Sequence, residues 1–433
     1  MFLLIVGQNQ NLFPTTVYRF PGNSFRKAKS SNFTSMISVE EAQKTILSTC
    51  RTWGTDRIPL EQALGCVLAE DIRADRDFPP FTRVSMDGIS ISFDDFEKGQ
   101  RIFPIKGTQA AGAPPLRLKE AGVCLEVMTG AMLPEGTDCV IRYEDLSITD
   151  GQAHILIEDV RQNQNAHQQG SDRKAGDILL TSGTKLRAPE IGVAATVGCT
   201  NLTVFKAPVI RIISTGDELV AVNEQPLPYQ IRQSNGYTLQ AILDQNGYKS
   251  TRHHLPDVEE TLKSQLGEML KTTDVFILTG GVSMGKFDFL PKIFEELGIQ
   301  KIFHRVQQRP GKPFWFGKGE GGQLFFALPG NPVSSFMCTC RYVIPFLKQC
   351  FQQDQTILFA RLAESIHFRP NLTYFAQVKL AFAEDGCLVA HPIQGHGSGD
   401  LANLVDVDAF LELPAGKDVY PAEAGFRVYS FNF

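Results

Sequence analysis

Between residues 208 and 350 short apolar runs alternate with amphipathic stretches, and three of the runs end in a glycine-bearing loop. Val209 to Ile213 leads into Ser214-Thr215-Gly216-Asp217-Glu218, and Val275 to Leu278 leads into Thr279-Gly280-Gly281-Val282-Ser283-Met284-Gly285. Leu324 to Ala327 leads into Leu328-Pro329-Gly330-Asn331-Pro332-Val333-Ser334. Apolar runs with no polar alternation mark strands buried on both faces, and the amphipathic stretches between them supply crossover helices. The pattern predicts a doubly wound, mostly parallel α/β sheet. In such sheets ligands bind outside the carboxyl ends of the strands, so one crevice is expected to hold all three loops.

The spacing predicts helices over Asn235 to Asp244, closed by Asn246-Gly247, over Val258 to Lys271, near Leu290 to Leu297, and from Val333 onward. Tyr248 to His254 and Ile302 to Val306 read as further strands of the same sheet. A chain of 433 residues exceeds one ordinary core, and the texture outside this region changes accordingly. From Met36 to Ala74, Val39, Ala42 and Ile46 and then Leu60, Ala63, Leu64 and Val67 recur at helical spacing, predicting two helices, the first opened by a Ser38/Glu41 capping box. Residues 76–170 are short β-rich pieces, and Pro189 to Ala195 resumes the helical pattern. Residues 36–75 plus 171–207 therefore read as a discontinuous helical domain interrupted by a β-rich insertion. Residues 208–352 form the α/β domain, and 353–433, with turns at Glu384-Asp385-Gly386 and Pro414-Ala415-Gly416, form a small C-terminal β-barrel or sandwich. Residues 1–35 are mostly polar and aperiodic, and Met36 stands just before the capping box, so they read as a disordered extension or an over-long start.

A net charge of -5 gives no global drive toward nucleic acid. Nine cysteines, an odd number without a short-range framework, point to a reducing cytoplasm. Cys338-Thr339-Cys340 lies in an apolar, helix-like stretch with no accompanying ligand set, which disfavours a metal there. No run approaches the length of a membrane span, so no membrane partner is expected.

Gly280 to Lys286 matches the G-x-x-x-x-G-K part of a nucleotide loop, but Phe287 stands where a Ser or Thr holds Mg²⁺, and no G-x-G-x-x-G is present. Taken singly, each glycine loop is equally well explained as a tight turn. Together they offer backbone amides and the hydroxyls of Thr279 and Ser283 to an anionic or heteroaromatic ligand. Asp217, Glu218 and Asp288 are carboxylates beside these loops, and Arg305, Arg309 and Lys312 are nearby bases; the alternative for each is solvated surface charge. Asp257 precedes Val258, with Glu260 three residues on, and reads as a helix N-cap. His253-His254 places one ring toward the core and one outward, with little support for metal ligation.

Met86-Asp87-Gly88, Met128-Thr129-Gly130-Ala131, Ser214 to Leu219, Gly280 to Gly285 with Asp288, Arg309-Pro310-Gly311-Lys312-Pro313, Leu328 to Ser334 and Gly397-Ser398-Gly399-Asp400-Leu401 occur in one order. In this the chain resembles the molybdopterin molybdenumtransferase family, related to the C-terminal domain of gephyrin. The resemblance implies insertion of molybdenum from molybdate into adenylylated molybdopterin with release of AMP, dependent on Mg²⁺. It also implies a cytoplasmic homodimer with a shared active site, in contact with molybdopterin adenylyltransferase and apo-molybdoenzymes. By position, Glu218, Asp257 and Asp288 match acidic, metal-binding positions and Arg305, Arg309 and Lys312 basic ones. Asp87, Thr129 and Asp172 match positions that approach the other subunit. Thr215, Gly216, Asp217, Gly280, Gly281, Val282, Ser283, Gly285, Pro329, Gly330, Asn331, Pro332, Ser334 and Ser398 match the cofactor-binding loops. Phe81-Thr82-Arg83-Val84-Ser85, Ile89, and Gln233 in place of a common Asp depart from the family pattern. Adenylyl transfer by the α/β domain alone would not need residues 36–177, and a scaffold would need a peptide groove on the last domain.

Overall fold

The computed structural model describes residues 36–281, 289–353 and 356–432. Its central sheet has the order Ser250–Leu255, Ile210–Thr215, Val275–Thr279, Leu324–Leu328, Trp315–Lys318, Gln300–His304. The first four strands are mutually parallel, and the last two run antiparallel to their neighbours. The Val275–Thr279 and Leu324–Leu328 strands are buried at every position, as unbroken apolar runs require in the middle of a two-sided sheet. Ser250–Leu255, Ser-Thr-Arg-His-His-Leu, is polar because it is the edge, where charge discourages pairing with another chain. Apolar clusters cover both faces, one including Ile212, Leu239, Ile277 and Phe326, the other Ile213, Leu262, Leu278 and Phe294.

From Ile210–Thr215 the chain steps outward to Ser250–Leu255 and then returns to the opposite side at Val275–Thr279. The order reverses between these two neighbours, which is where a doubly wound sheet opens its ligand crevice.

Several expected elements differ. Leu60 to Val67 is not a helix: a single 3-10 turn, Leu60–Gln62, gives way to bridges of Val67 to Lys185 and Leu68 to Val204. Gly65 in the left-handed region and the sheet-forming partners across the insertion override the helical spacing. The stretch that accompanies helix Ala188–Thr196 is thus Thr55–Pro59, paired with Asn201–Phe205. Helix Val39–Leu47 has the expected capping box, but its buried face joins the core of the central sheet. Strand Ile302–Val306 is observed as Gln300–His304 and lies antiparallel to Trp315–Lys318, a strand the sequence pattern did not mark. Of the two histidines on the edge strand Ser250–Leu255, His253 is half-buried on the side of Leu255 and His254 is exposed, the alternation expected of a strand. The helix after Pro332 opens into a π-helical turn at Thr339–Val343 before resuming at Ile344–Cys350.

Residues 88–155 contain a second six-stranded mixed sheet, with Gly88–Ile91 between Cys139–Arg142 and Cys124–Val127. After residue 356 five strands close into a barrel. Thr373–Phe382 pairs with both Leu388–Pro392 and Ala409–Leu413, and Gly425–Ser430 and Leu358–Leu362 complete the ring. No described helix is long and apolar enough to cross a membrane.

Candidate functional site

The strands beneath the glycine loops end in register. Thr215 pairs with Leu255, Ser214 with Thr279, and Thr279 with Leu328. The loops after them consequently emerge side by side at the switch point. The Gly280 amide donates to the Leu328 carbonyl at 3.3 Å, and Thr279 Oγ1 donates to Ser214 Oγ at 3.3 Å. Gly280 and Gly281 have φ of 97° and 68°, conformations that L side chains avoid. A Cβ on Gly280 would stand 2.8 Å from the Thr215 carbonyl, and a Cβ on Gly330 would rest 3.5 Å from Gly280 Cα. All three loops are therefore in contact through bare backbone.

Thr215 is 4 % exposed, and its hydroxyl has no hydrogen-bond partner among the described residues. It lies 3.1 Å from where a Cβ of either Gly280 or Gly281 would be. An orphaned hydroxyl in a cradle of side-chain-free backbone is a feature of ligand sites, since burying an unpaired polar group is otherwise unfavourable.

The acidic loops are joined to each other. The Asp257 amide donates to Asp217 Oδ1 at 3.0 Å, and Asp217 and Glu218 are exposed at the crevice. Asp257 is not the N-cap: helix Glu259–Met269 begins with Val258 in that position and no side-chain cap. The extended Val258 inserts one residue between Asp257 and the helix, so capping does not account for this carboxylate.

The third loop is fixed from two sides. Asn235 Nδ2 donates to the Gly330 carbonyl at 2.6 Å, Asn331 Nδ2 donates to Ser398 Oγ at 2.8 Å, and the Val333 amide donates to the Ser398 carbonyl at 3.1 Å. Ser398 thus meets the Pro329 to Ser334 loop, and Ser334 is buried in the helix that follows. Asn235 carried no sequence signal beyond opening a helix.

The basic residues lie on one loop. Arg305, with φ of 74°, donates its amide to the Phe314 carbonyl, and Val306 donates to the Lys312 carbonyl, so the loop is pinched at its base. Lys312 is exposed. Arg309 lines a cleft of about 400 Å³ with Ser365, His367, Phe368, Tyr374 and Gln377 of the barrel. Its guanidinium is 6.0 Å from the Phe368 ring centroid, and its charge opposes the rise that burial imposes on the Tyr374 phenol.

On the second sheet, Asp87 Oδ1 accepts from the Thr129 amide at 2.6 Å and from Thr129 Oγ1 at 2.8 Å. These two bonds hold the Asp87 carboxyl below the usual aspartate range. Asp172 is bonded instead to His167 Nε2 at 2.8 Å, beside the Arg83–Val84 and Ala166–His167 pair that precedes Asp87. Val282, Ser283, Gly285 and Asp288 lie outside the described residues. Among the described residues no three His, Cys, Asp or Glu side chains gather as a metal cluster.

A mixed sheet with a glycine-loop crevice at its switch point, a β-rich sheet before it and a closed barrel after it defines a multidomain α/β protein with a candidate ligand crevice at the strand ends. Three family models match in order: the MoeA N-terminal region (domain I and II) over residues 37–198, a probable molybdopterin binding domain over 211–349, and the MoeA C-terminal region (domain IV) over 360–431. The chain is 38% identical over 399 residues to the molybdopterin molybdenumtransferase of Synechocystis, covering 92% of this chain and 100% of that one. It is 31% identical to that of Bacillus subtilis, covering 89% of this chain and 91% of that one. The solved MoeA molybdopterin-biosynthesis protein of Pyrococcus horikoshii superposes with a TM-score of 0.77 at 26% identity, over 91% of this chain and 99% of that one. The chain belongs to the molybdopterin molybdenumtransferase family, transferases of molybdenum cofactor biosynthesis.

Proposed function

We propose that this protein inserts molybdenum from molybdate into adenylylated molybdopterin, releasing AMP, with a Mg²⁺ requirement. The observation that carries the reading is the convergence of the three glycine loops around the buried Thr215 hydroxyl, which has no hydrogen-bond partner among the described residues, at the switch point. Unshielded amides and a hydroxyl at strand ends suit a pterin and its diphosphate lying close to the main chain. Arg305, Arg309 and Lys312 neutralise the diphosphate and the molybdate dianion.

The donor set fits Mg²⁺. Glu218, Asp257 and Asp288 would supply hard oxygen ligands to this ion, which takes one or two carboxylates with substrate phosphates and water rather than a closed protein cage. When bound, Mg²⁺ supplies charge neutralisation at the phosphates. The carboxylates left unligated accept and return protons as oxo groups depart as water. Asp217 holds the Asp257 loop in place through the Asp257 amide.

We assign residues 36–75 with 171–207, 76–170, 208–352 and 353–433 to four domains of a cytoplasmic homodimer. In it Asp87, Thr129 and Asp172 approach the partner's crevice, and contacts with molybdopterin adenylyltransferase and apo-molybdoenzymes deliver substrate and product. The test is purified protein with adenylylated molybdopterin, molybdate and Mg²⁺. Release of AMP, together with cofactor that reconstitutes an apo-molybdoenzyme, is the expected result. Full AMP release by both Asp288→Asn and Arg309→Ala would overturn the site assignment, and wild-type protein that binds substrate without releasing AMP would favour a scaffolding role.

A further inference from the structure

The basic loop that bears Arg309 and Lys312 is organised around one wholly buried amide. Gln308 is 0 % exposed, although glutamine is a residue that ordinarily stays at the surface. Its side chain is nevertheless satisfied on both ends. Nε2 donates to the Gly311 carbonyl at 3.0 Å and to Cys338 Sγ at 3.4 Å, while Oε1 accepts from the Tyr342 hydroxyl. The Gly311 carbonyl requires a donor, so the amide orientation is fixed by its partners.

The partners belong to two parts of the site, the basic loop and the helix that follows the third glycine loop. Gly311 is in the basic loop itself, with φ of 86°, and it packs so closely that a Cβ there would stand 2.7 Å from both Gln308 Nε2 and Cys338 Sγ. Cys338 ends the helix that begins at Pro332, directly after the third glycine loop. Tyr342, 1 % exposed, lies in the π-helical turn that continues that helix, and burial raises its phenol well above the ordinary range, so it stays a neutral donor. The backbone of Gln308 and Arg309 pairs with Thr373 and Tyr374 of the barrel. The amide therefore ties the basic loop to the element that carries the third glycine loop, at a seam with the barrel.

We infer that Gln308 and Tyr342 are positioning residues, which lock the Arg309 to Lys312 loop in the geometry that receives the oxyanion substrate. The inference rests on the reading of the site proposed above. A hydrocarbon at 308 would fill the space equally well, but it would leave the Gly311 carbonyl and the Tyr342 hydroxyl unpaired and the loop held at its base alone. Neither residue touches substrate, and both act through the placement of Arg309 and Lys312.

The experiment measures AMP release against molybdate concentration, together with amide hydrogen exchange over residues 306–314, for wild type, Gln308→Met, Tyr342→Phe, Gln308→Glu and Tyr420→Phe. Gln308→Met and Tyr342→Phe are expected to raise KM for molybdate about tenfold with kcat within about threefold, and to lose exchange protection in the loop. Gln308→Glu keeps the acceptor for Tyr342 but sets a carboxylate against the Gly311 carbonyl, so its KM rises further. Tyr420→Phe removes another buried tyrosine bond, to the Pro414 carbonyl in the barrel, and is expected to lower stability without moving KM or the loop's exchange. Unchanged KM and exchange in Gln308→Met, while Arg309→Ala is impaired, overturns the lock and leaves the function standing. Wild type that releases no AMP overturns the function instead, and the exchange data then decide whether Gln308 fixes the loop.

Discussion

The Asp257 amide and the Asp217 carboxylate meet at 3.0 Å, so the loops leaving two adjacent parallel strands are tied at the crevice by one charge-assisted hydrogen bond. Asp217→Ala frees the Asp257 loop, whereas Asp217→Asn retains a neutral acceptor. We expect Asp217→Ala to lower stability by about 1 kcal/mol, the bond being solvent-exposed, and Asp217→Asn by less. The AMP-releasing activity falls in the same order. Urea denaturation beside steady-state assays checks both; equal activity in the two variants would remove the tie from the site.

Gly280→Ala is expected to be the most damaging small substitution in the loops. It places a methyl group 2.8 Å from the Thr215 carbonyl at a φ of 97°, so strain and overlap combine. A loss of about 2–4 kcal/mol follows, read from the urea midpoint at constant m. Gly216→Ala differs in one respect: at a φ of 142° it is strained too, but the new methyl meets only the end of the Glu218 side chain, which can rotate away, so strain acts without backbone overlap.

How much of this was legible before the fold was known depends on where each residue's partner lies. The central strands were readable because burial on both faces leaves unbroken apolar runs, as in Val275 to Leu278. Trp315–Lys318 was not, since it follows Pro310-Gly311-Lys312-Pro313 and returns antiparallel, an arrangement set by its partners Gln300–His304 and Leu324–Leu328. The spacing of Leu60, Ala63, Leu64 and Val67 fits a helix and fits equally a turn followed by two bridges. Asp257 looked like a cap because one residue separates N-cap from N′, a shift that only the extended backbone of Val258 reveals. The glycine loops were readable as motifs; Asn235 and Gln308 were not, because their partners Gly330 and Tyr342 lie 95 and 34 residues away.

The Asp87 carboxyl titrates below its ordinary range because the folded state donates two Thr129 hydrogen bonds to its charged form. Its contribution to stability is therefore present above the unfolded pKa of about 4 and is lost as pH falls through the lower folded value. Thr129→Val removes the hydroxyl and leaves the amide. The Asp87 pKa should rise toward the ordinary value without reaching it, and the acid limb of the stability curve should move to higher pH. A ¹³C-carboxyl NMR titration of wild type and Thr129→Val reads this directly.

Arg341 and Glu412 join the helix after the third loop to the barrel at 2.9 Å, with side chains 1 % and 12 % exposed. Removing one partner strands the other in a dry environment. Arg341→Met or Glu412→Leu alone is expected to cost about 3–5 kcal/mol, and the double variant distinctly less than either. A double-mutant cycle on thermal unfolding tests the coupling, and strict additivity would contradict it.

The proposed shared site has a consequence that a monomeric site lacks. Asp87 and Thr129 lie just outside strands Gly88–Ile91 and Cys124–Val127 of the second sheet, whereas Glu218 and Arg309 lie on the central-sheet loops, and in the proposed dimer each crevice draws the first pair from the partner chain. Asp87→Asn and Glu218→Gln homodimers would each be inactive at both sites. After subunit exchange between equal amounts, half of the dimers are mixed and each mixed dimer has one intact site. Activity should recover to about one quarter of wild type. Exchange verified by mass-tagged subunits, with no recovery of AMP release, would place Asp87 and Glu218 in the same chain's site and confine the crevice to one subunit.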